Sequence, residues 1–371
     1  MISKTEKILQ QGDFTRESLA YLLKTQGSER QKILEHAHEV KKHEVGLKTY
    51  FRGLLEFSNI CAKNCYYCGI RRGNGKVERY FMTEDEIISQ VQYAIDNHYA
   101  SIVLQSGERT DPKFTQHITD LVRKIAAINP GQSLGITLSM GEQSEEVYKE
   151  WQAAGANRYL IRIEASNPEL YKKLHPDDSV HNYQRRLDAI ERLKALGYQT
   201  GTGVMIGLPF QDEYDLADDL LFMQRHDIDM VGMGPYIEHQ DTPLYRHREH
   251  LMPKEERFDL SLKMVALLRI MMKDINIAAT TAMQTLDPLG REKAIKVGAN
   301  VIMPNLTPVK YREGYLLYED KPCLDEEAED CRTCLEARIS IAGDEIGYDE
   351  PGTSLHYQKR MKKTSNNGKT Q

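Results

Sequence analysis

No stretch of this 371-residue chain approaches the roughly 18 consecutive apolar residues that a membrane-spanning helix needs, and its richest segment, Met264 to Met272, is interrupted by Arg269. The first residues also lack the marks of a secretory signal, since Met1 to Phe14 mixes Lys, Glu, Gln and Asp without an apolar centre. A basic excess is missing as well. Lys and Arg number 49 against 55 Asp and Glu, a formal net charge of −6, which argues against a nucleic-acid-binding surface. No unit of about 20–50 residues repeats. These absences lead us to expect a cytoplasmic protein with neither membrane nor nucleic acid among its partners.

What is present is a long alternation. Apolar runs with strand character occur at Gly53–Phe57, Ser101–Gln105, Leu134–Ser139, Asn157–Ile163, Gln199–Ile206, Met230–Gly234, Ile275–Thr280 and Val301–Pro304. Helical patterns lie between them at Thr83–His98, Pro112–Asn129, Ser144–Ala154, Asn182–Leu196, Asp212–His226, Pro253–Lys273 and Asp287–Val297. Thr83 with Glu86 reads as a capping box, and Gly155 and Gly197 stand where helices end. Eight such units predict an α/β fold, a (βα)8 TIM-type barrel over residues 50–310, with an open doubly wound sheet as the alternative. Residues 1–49 read as a helical N-terminal extension, 311–358 as a C-terminal segment, and 359–371 as a polar tail without structure.

The six cysteines fall into two trios, Cys61, Cys65, Cys68 and Cys323, Cys331, Cys334, with none left over. Close clusters in a long chain without a secretory signal favour metal over disulfides. The first trio, C-x3-C-x2-C, follows the first expected strand directly, on the face where barrel loops build active sites. Three thiolates at this spacing can hold three irons of a 4Fe–4S cube and leave the fourth open to a substrate's amine and carboxylate. A structural zinc site wants four protein ligands, and the immediate loop offers no fourth Cys or His.

Polar residues gather at the other strand ends: Gln105, Ser106 and Glu108 after the second, Thr137 and Ser139 at the end of the third. In the fourth, Arg158, Arg162 and Glu164 share parity and so one face. If that face is the interior, Glu164 with an Arg is aimed at a ligand; the bland alternative is a structural ion pair. The glycines of Gly201–Gly203 and Gly207 bracket the fifth strand and are weak signals alone. Thr280 and Thr281 end the seventh, either as hydrogen-bond donors or simply as β-branched strand residues.

The C-x3-C-x2-C loop, with the aromatic Tyr67 before its last cysteine, resembles the signature of the radical S-adenosylmethionine (SAM) superfamily. Longer segments, among them Glu56–Asn59, Val103–Glu108, Gly201–Pro209, Asp229–Pro235, Ala278–Met283 and Gly298–Asn305, are similar to the HydE branch of [FeFe]-hydrogenase maturases. Biotin synthase and methylornithine synthase are cousins of the same fold. The resemblance implies an enzyme in which Cys61, Cys65 and Cys68 ligate a 4Fe–4S cluster that cleaves SAM reductively to a 5′-deoxyadenosyl radical. It implies SAM contacts from Tyr67, Gln105, Ser106, Thr137, Ser139, Glu164, Arg186 and Ile206, with Arg185 as the rival of Arg186. Arg158, Thr280 and Thr281 match an inner substrate pocket. Cys323, Cys331 and Cys334 resemble an auxiliary 2Fe–2S or 4Fe–4S site, with zinc or adventitious binding as the alternative. The implied substrate is a small organometallic or cysteine-derived compound, and the implied partners are an external electron donor and other hydrogenase maturases. The alternatives are a radical SAM mutase or sulfur-inserting enzyme, and a non-catalytic iron–sulfur scaffold or carrier.

Overall fold

Short parallel strands, each followed by a crossover helix, form the middle of the chain in a computed structural model that describes residues 2–128 and 134–367. Asn129, expected at the end of a helix, and residues 368–371 of the expected tail lie outside the described residues. In chain order the strands are β1 Lys48–Phe51, β2 Gly53–Ser58, β3 Ser101–Ser106, β4 Gly135–Ser139, β5 Arg158–Leu160, β6 Gln199–Thr202, β7 Met205–Ile206, β8 Met230–Val231, β9 Gly234–Pro235, β10 Asn276–Ile277, β11 Val301–Ile302 and β12 Glu345–Ile346. Seven of them form one parallel sheet in the order β10-β8-β6-β5-β4-β3-β2.

β11 bridges the gap between the ends of that sheet. Single parallel bridges join Ala278 to Val301 and Leu54 to Asn305, and β1 pairs with β11 through Tyr50–Val301 and Phe51–Ile302. All eight expected strands are therefore present in one curled parallel arrangement, in agreement with the barrel. Two of the expected long strands, Gln199–Ile206 and Met230–Gly234, are each broken into two pieces, because Gly203 and Gly232 pass so close that a Cβ on Gly203 would lie 1.9 Å from the Gly232 carbonyl oxygen.

Amphipathic helices cover the outside. In the helix Pro112–Ile128, Phe114, Ile118, Leu121, Val122 and Ile125 are buried at spacings of three and four, the stripe that a surface helix turns to its core. Thr83 and Glu86 form the expected capping box of the helix Glu84–Asp96. The helix Lys254–Met271 is buried on almost every side, since the N-terminal helix Gly27–Glu44 packs over it. The N-terminal extension is three helices, and residues 48 and 49, expected within it, already belong to β1. Lys41 of the third helix meets Asp344 at 2.6 Å with both side chains fully buried, so breaking the pair would cost about 3–5 kcal/mol.

The tail differs from expectation. Residues Leu355–Asn367 form a helix rather than an unstructured segment from Lys359. Its polar composition is offset by three anchors to the barrel floor. Arg360 reaches the buried Asp229 at 2.6 Å, Lys359 reaches Asp274 at 2.8 Å, and His356 lies between Asp274 (3.0 Å) and Asp227 (2.6 Å). Hydrogen bonds donated to the Asp274 and Asp227 carboxylates raise the His356 imidazole above its ordinary value, and His356 in turn helps hold Asp274 and Asp227 low. A raised histidine stabilises fully below its unfolded value of about 6.5 and loses that contribution as pH rises through the folded one. The lowered carboxylates lose theirs as pH falls below the usual aspartate range. Protection of this helix's amides, taken relative to their intrinsic pH-dependent exchange, is therefore expected to be greatest between about pH 4.5 and 6.5 and to fall on either side. His356→Gln should remove the alkaline limb; an unchanged profile in that variant would refute the assignment.

Candidate active site

The loop after β2 carries Cys61, Cys65 and Cys68 and is fixed by backbone hydrogen bonds from three directions. The amide of Ala62 donates to Glu108 O (2.8 Å), that of Tyr66 to Leu174 O (2.9 Å), and that of Gly69 to Leu317 O (2.9 Å). Arg79 gathers the loop from outside, donating to the carbonyls of Asn59, Ile70, Arg71 and Asn74. Gly107 lets the end of β3 approach, because a Cβ there would lie 2.5 Å from Ile60 O and 2.7 Å from Cys61 Cβ. The next amide, Glu108 N–H, donates to Cys61 Sγ at 3.3 Å.

Burial pushes all three thiols up, Cys65 to about 12, with the Glu108 charge adding to the rise at Cys61 and Cys65. Thiols held this way ionise where cations replace the lost hydration, which is what iron supplies. An all-sulfur donor set, an amide aimed at one sulfur and a glycine-limited cradle fit an iron–sulfur cube.

Behind the loop lies a buried ion network. Arg186 meets Glu108 at 2.9 Å and Glu142 at 2.8 Å, and Lys63 meets Glu142 at 2.8 Å. Although burial works against its charge, Glu108 is held below the carboxylate range by Arg186 and Lys63. Arg186 is thus brought into the interior next to the cysteine loop, whereas Arg185, on the same helix Tyr183–Ala195, is half exposed and 3.5 Å from Glu142. His175 donates Nδ1–H to Tyr171 O, stacks on that ring at 4.0 Å and meets Tyr67 edge-on at 5.5 Å. Burial holds it neutral, its value lowered to about 3.

A cavity of about 260 Å³ opens beside Cys68 within the barrel mouth. Tyr67, Gln105, Glu164, Thr280 and Thr281, all expected at the site, line it together. Arg162 lines it too, bonding Glu164 through Nε–Oε1 (2.9 Å) and Nη2–Oε2 (2.8 Å). Burial opposes the Arg162 charge but Glu164 more than offsets it, leaving the guanidinium raised. Glu164 itself has φ 65°, a left-handed conformation that a non-glycine residue rarely adopts and that often marks a functional site. Ile206 is fully buried beside Met205, which lines the cavity, and the Ser106 hydroxyl donates to Gly107 O at 2.8 Å. Ser139 pairs with Gln105 in the β3–β4 ladder.

Two expected residues sit apart from this cavity. Arg158 is committed at the opposite end of the barrel, donating to Ser101 Oγ (2.6 Å), Pro351 O (2.7 Å) and Thr353 Oγ1 (3.2 Å). Its ladder neighbour Thr137 lines a separate small void of about 20 Å³ with Arg52 and Met230. β5 begins at Arg158, so that inward position belongs to the floor; Leu160 lines both the small void and the cavity, and Arg162 and Glu164, past the end of β5, line the cavity.

Several site residues carried no signal beforehand. Glu56 receives the Lys321 ammonium at 2.7 Å and 2.8 Å, and Lys321, Tyr318 and Leu317 close the cavity from above. Lys321 lies where the βα alternation has stopped, so no pattern could place it. Arg162 was visible by parity alone, Glu108 as a polar residue after the second strand, and Lys63 only as part of the cysteine loop.

The second trio is assembled separately. Cys331 and Cys334 lie one turn apart on the helix Ala328–Ala342, and Cys323 sits in the loop before it at φ 63°. The Cys323 thiol hydrogen-bonds Cys331, and together with a backbone hydrogen bond from Asn305 and the charges of Arg291 and Arg312 it pulls Cys331 down to about 6. Arg338 Nε donates to Cys334 Sγ at 3.3 Å.

A barrel whose first βα loop carries three cysteines, one of them lining an interior cavity, fits the radical SAM class, and the profile described as "Radical SAM superfamily" matches residues 55–223. Within that class it is 45% identical over 347 residues to the [FeFe] hydrogenase maturase subunit HydE of Thermotoga maritima, covering 93% of this chain and 95% of that one, which places it in the HydE family. The 3-methylornithine synthase of Methanosarcina acetivorans is 25% identical over 315 residues, 85% of this chain and 86% of that protein. Among solved structures, methylornithine synthase superposes with a TM-score of 0.77 at 23% identity over 94% of this chain and 98% of that one. The hydrogenase maturase HydG gives 0.76 at 20% identity over 93% and 75%; both likenesses show the fold.

The approach at Gly107 is testable without substrate. Gly107→Ala is expected to cost about 1–3 kcal/mol by overpacking and to lower the iron retained after anaerobic reconstitution, read by visible absorbance. Wild-type iron content in the variant would mean the cradle is looser than described.

Proposed function

We propose that this protein is a HydE-type maturase, a radical SAM enzyme acting in assembly of the two-iron subcluster of an [FeFe]-hydrogenase. The observation that carries this reading is the 45% identity to the Thermotoga maritima HydE across 93% of the chain. The radical SAM profile implies SAM and a 4Fe–4S cluster, which when bound supply one-electron cleavage of the sulfonium to methionine and a 5′-deoxyadenosyl radical.

The chain's own residues do the rest. Cys61, Cys65 and Cys68 would hold the cluster, leaving one iron free for the SAM amine and carboxylate. Tyr67, Gln105, Glu164 and Ile206, with Ser106, Ser139 and Arg186 nearby, would seat the nucleoside. The polar edge of Glu164 suits ribose hydroxyls or an ammonium, and Arg162 fixes its orientation. Ceiling residues Leu317, Tyr318 and Lys321 exclude water from a space in which a carbon radical must survive. Thr280 and Thr281, at the inner wall, would receive a small cysteine-derived or organometallic substrate. Arg158, expected in the substrate pocket, and Thr137, expected at SAM, lie at the floor of the barrel and are left out of this assignment.

Three cationic side chains, Arg291, Arg312 and Arg338, surround the second trio and suit an anionic thiolate cluster of two or four irons at Cys323, Cys331 and Cys334. An external one-electron donor and other hydrogenase maturases are the partners this function needs. The reading places the protein in the cytoplasm. Among the described residues no helix is long and apolar enough to cross a membrane.

The test is anaerobic incubation with SAM and dithionite. Cys65→Ala is expected to abolish 5′-deoxyadenosine formation, whereas Cys331→Ala should leave it largely intact. Failure of the wild type to form 5′-deoxyadenosine would remove every radical SAM reading. Activation of a co-expressed [FeFe]-hydrogenase in the protein's absence would remove the maturase reading alone.

A further inference from the structure

At the barrel mouth, beside the cysteine loop, one surface patch runs against the charge of the chain. The protein carries a formal net charge of −6. Yet Lys172 and Lys173, in the last turn of the helix Pro168–Leu174, face Arg246 of the 3₁₀ segment Pro243–His250 across a groove of about 360 Å³. Arg248 follows on the same segment.

Lys173, Arg246 and Arg248 form no ion pair among the described residues. Lys172 has only the exposed Glu169 of its own helix, at 2.7 Å. Arg246 bonds the neighbouring His247, and Arg248 rests over the Tyr245 ring at 4.7 Å. These cations are held in place without being neutralised.

Between them stands Phe210, which is 44% exposed and held at φ 72°. The Lys173 ammonium lies 5.1 Å from its ring centre and the His247 ring meets it at 4.8 Å. A large apolar ring kept in water, in a conformation unfavourable for its residue type and rimmed by unspent charge, has the anatomy of a docking surface. Scattered cations flanking an aromatic ring fit a protein surface better than a free phosphate, which wants donors converging on one point.

The groove is also next to the cluster loop in the chain itself. Leu244 N–H donates to Tyr66 O at 2.9 Å, Tyr66 lines the groove, and its neighbours are Cys65 and Tyr67. A partner seated here is therefore one residue from a cluster ligand.

We propose that this groove docks a small acidic one-electron carrier protein that reduces the cluster held by Cys61, Cys65 and Cys68. The proposal rests on the radical SAM reading of that loop. One electron leaves the carrier's reduced centre and one enters the cluster; no bond forms or breaks at the groove. Charge complementarity speeds and orients the encounter, so it must weaken with salt.

The test compares reduced flavodoxin, an acidic carrier, with dithionite, which needs no docking surface, on the reconstituted holoprotein. In the triple variant Lys173→Glu, Arg246→Glu, Arg248→Glu, flavodoxin affinity by calorimetry is expected to fall about tenfold or more at low salt. The salt dependence seen in the wild type should flatten, and cluster reduction by flavodoxin in stopped flow should slow by the same factor. Reduction by dithionite and SAM cleavage with dithionite should be unchanged. The milder pair Lys173→Gln, Arg246→Gln should show the same split at smaller amplitude and decides the case if charge reversal disturbs folding. Equal flavodoxin affinity and equal reduction rates in wild type and variants would overturn the proposal. A wild type that cleaves no SAM with dithionite would instead overturn the reading of the loop.

Discussion

A charged side chain that enters a parallel β ring leaves its hydration behind, because both faces of such strands are covered, and the protein itself must then supply the partner. This barrel takes in many charges. Lys63, Glu108, Glu142 and Arg186 answer one another behind the cysteine loop, Arg162 answers Glu164 within the mouth, and Lys321 answers Glu56 from above. Apart from Arg162 and Glu164, two residues apart, each pair joins segments distant in the chain, so the matching of charge also fixes where those loops lie. The positions of the three thiols follow from it: the Glu108 carboxylate is tied to Arg186, and its backbone, held in place, holds the cysteine loop through Ala62 and Cys61.

The two ends of the barrel solve the same problem differently, and the difference separates stability from chemistry. At the floor, Arg52 and Arg158 have no carboxylate between them. They bond instead to the carbonyl oxygens of Gly352 and Pro351, where the chain passes beneath the ring, and burial pulls Arg158 down to about 10. Arg158 is spent on Ser101, Pro351 and Thr353, whereas among the described residues the buried Arg52 Nε has no hydrogen-bond partner. At the mouth the Arg162–Glu164 pair borders open volume, and Glu164 is held in a strained conformation. Barrel enzymes in general keep reactivity at the carboxyl ends of their strands and stability at the other, and here that division is written in the partners the arginines take.

Much of this was legible in advance. Strand and helix order came through because buried parallel strands and amphipathic helices have different periods, and the cysteine spacing after the first strand identified the loop. Parity brought Arg162 and Glu164 to one side. What parity could not give was depth: Arg158 shares that side, yet it starts β5 at the floor while Arg162 and Glu164 lie past the strand's other end at the mouth. The tail was misjudged for a related reason. Residues 355–367 are polar enough to suggest an unstructured chain, but Asp227, Asp229 and Asp274 are distant in sequence, and only tertiary contact reveals that they bind His356, Lys359 and Arg360. Lys321 and Glu56 illustrate the same limit, since a pair 265 positions apart leaves no local trace.

The segment from Tyr315 to Cys323 joins the two cysteine sites, and its anchoring settles how far one depends on the other. Leu317 O accepts from Gly69, next to Cys68, and Lys321 closes the cavity against Glu56, two residues before Cys323. Such continuity would seem to make the cavity hostage to whatever the second trio binds. Yet the end nearest that trio is held by Arg312, a fully buried guanidinium that bonds Cys323 O at 2.8 Å, Thr307 O at 2.6 Å and Asn305 O at 3.3 Å. The segment is therefore fastened to the barrel by side chain and backbone alone on both sides of the cavity ceiling. Anything bound at the second trio would add to a segment already fixed by these contacts.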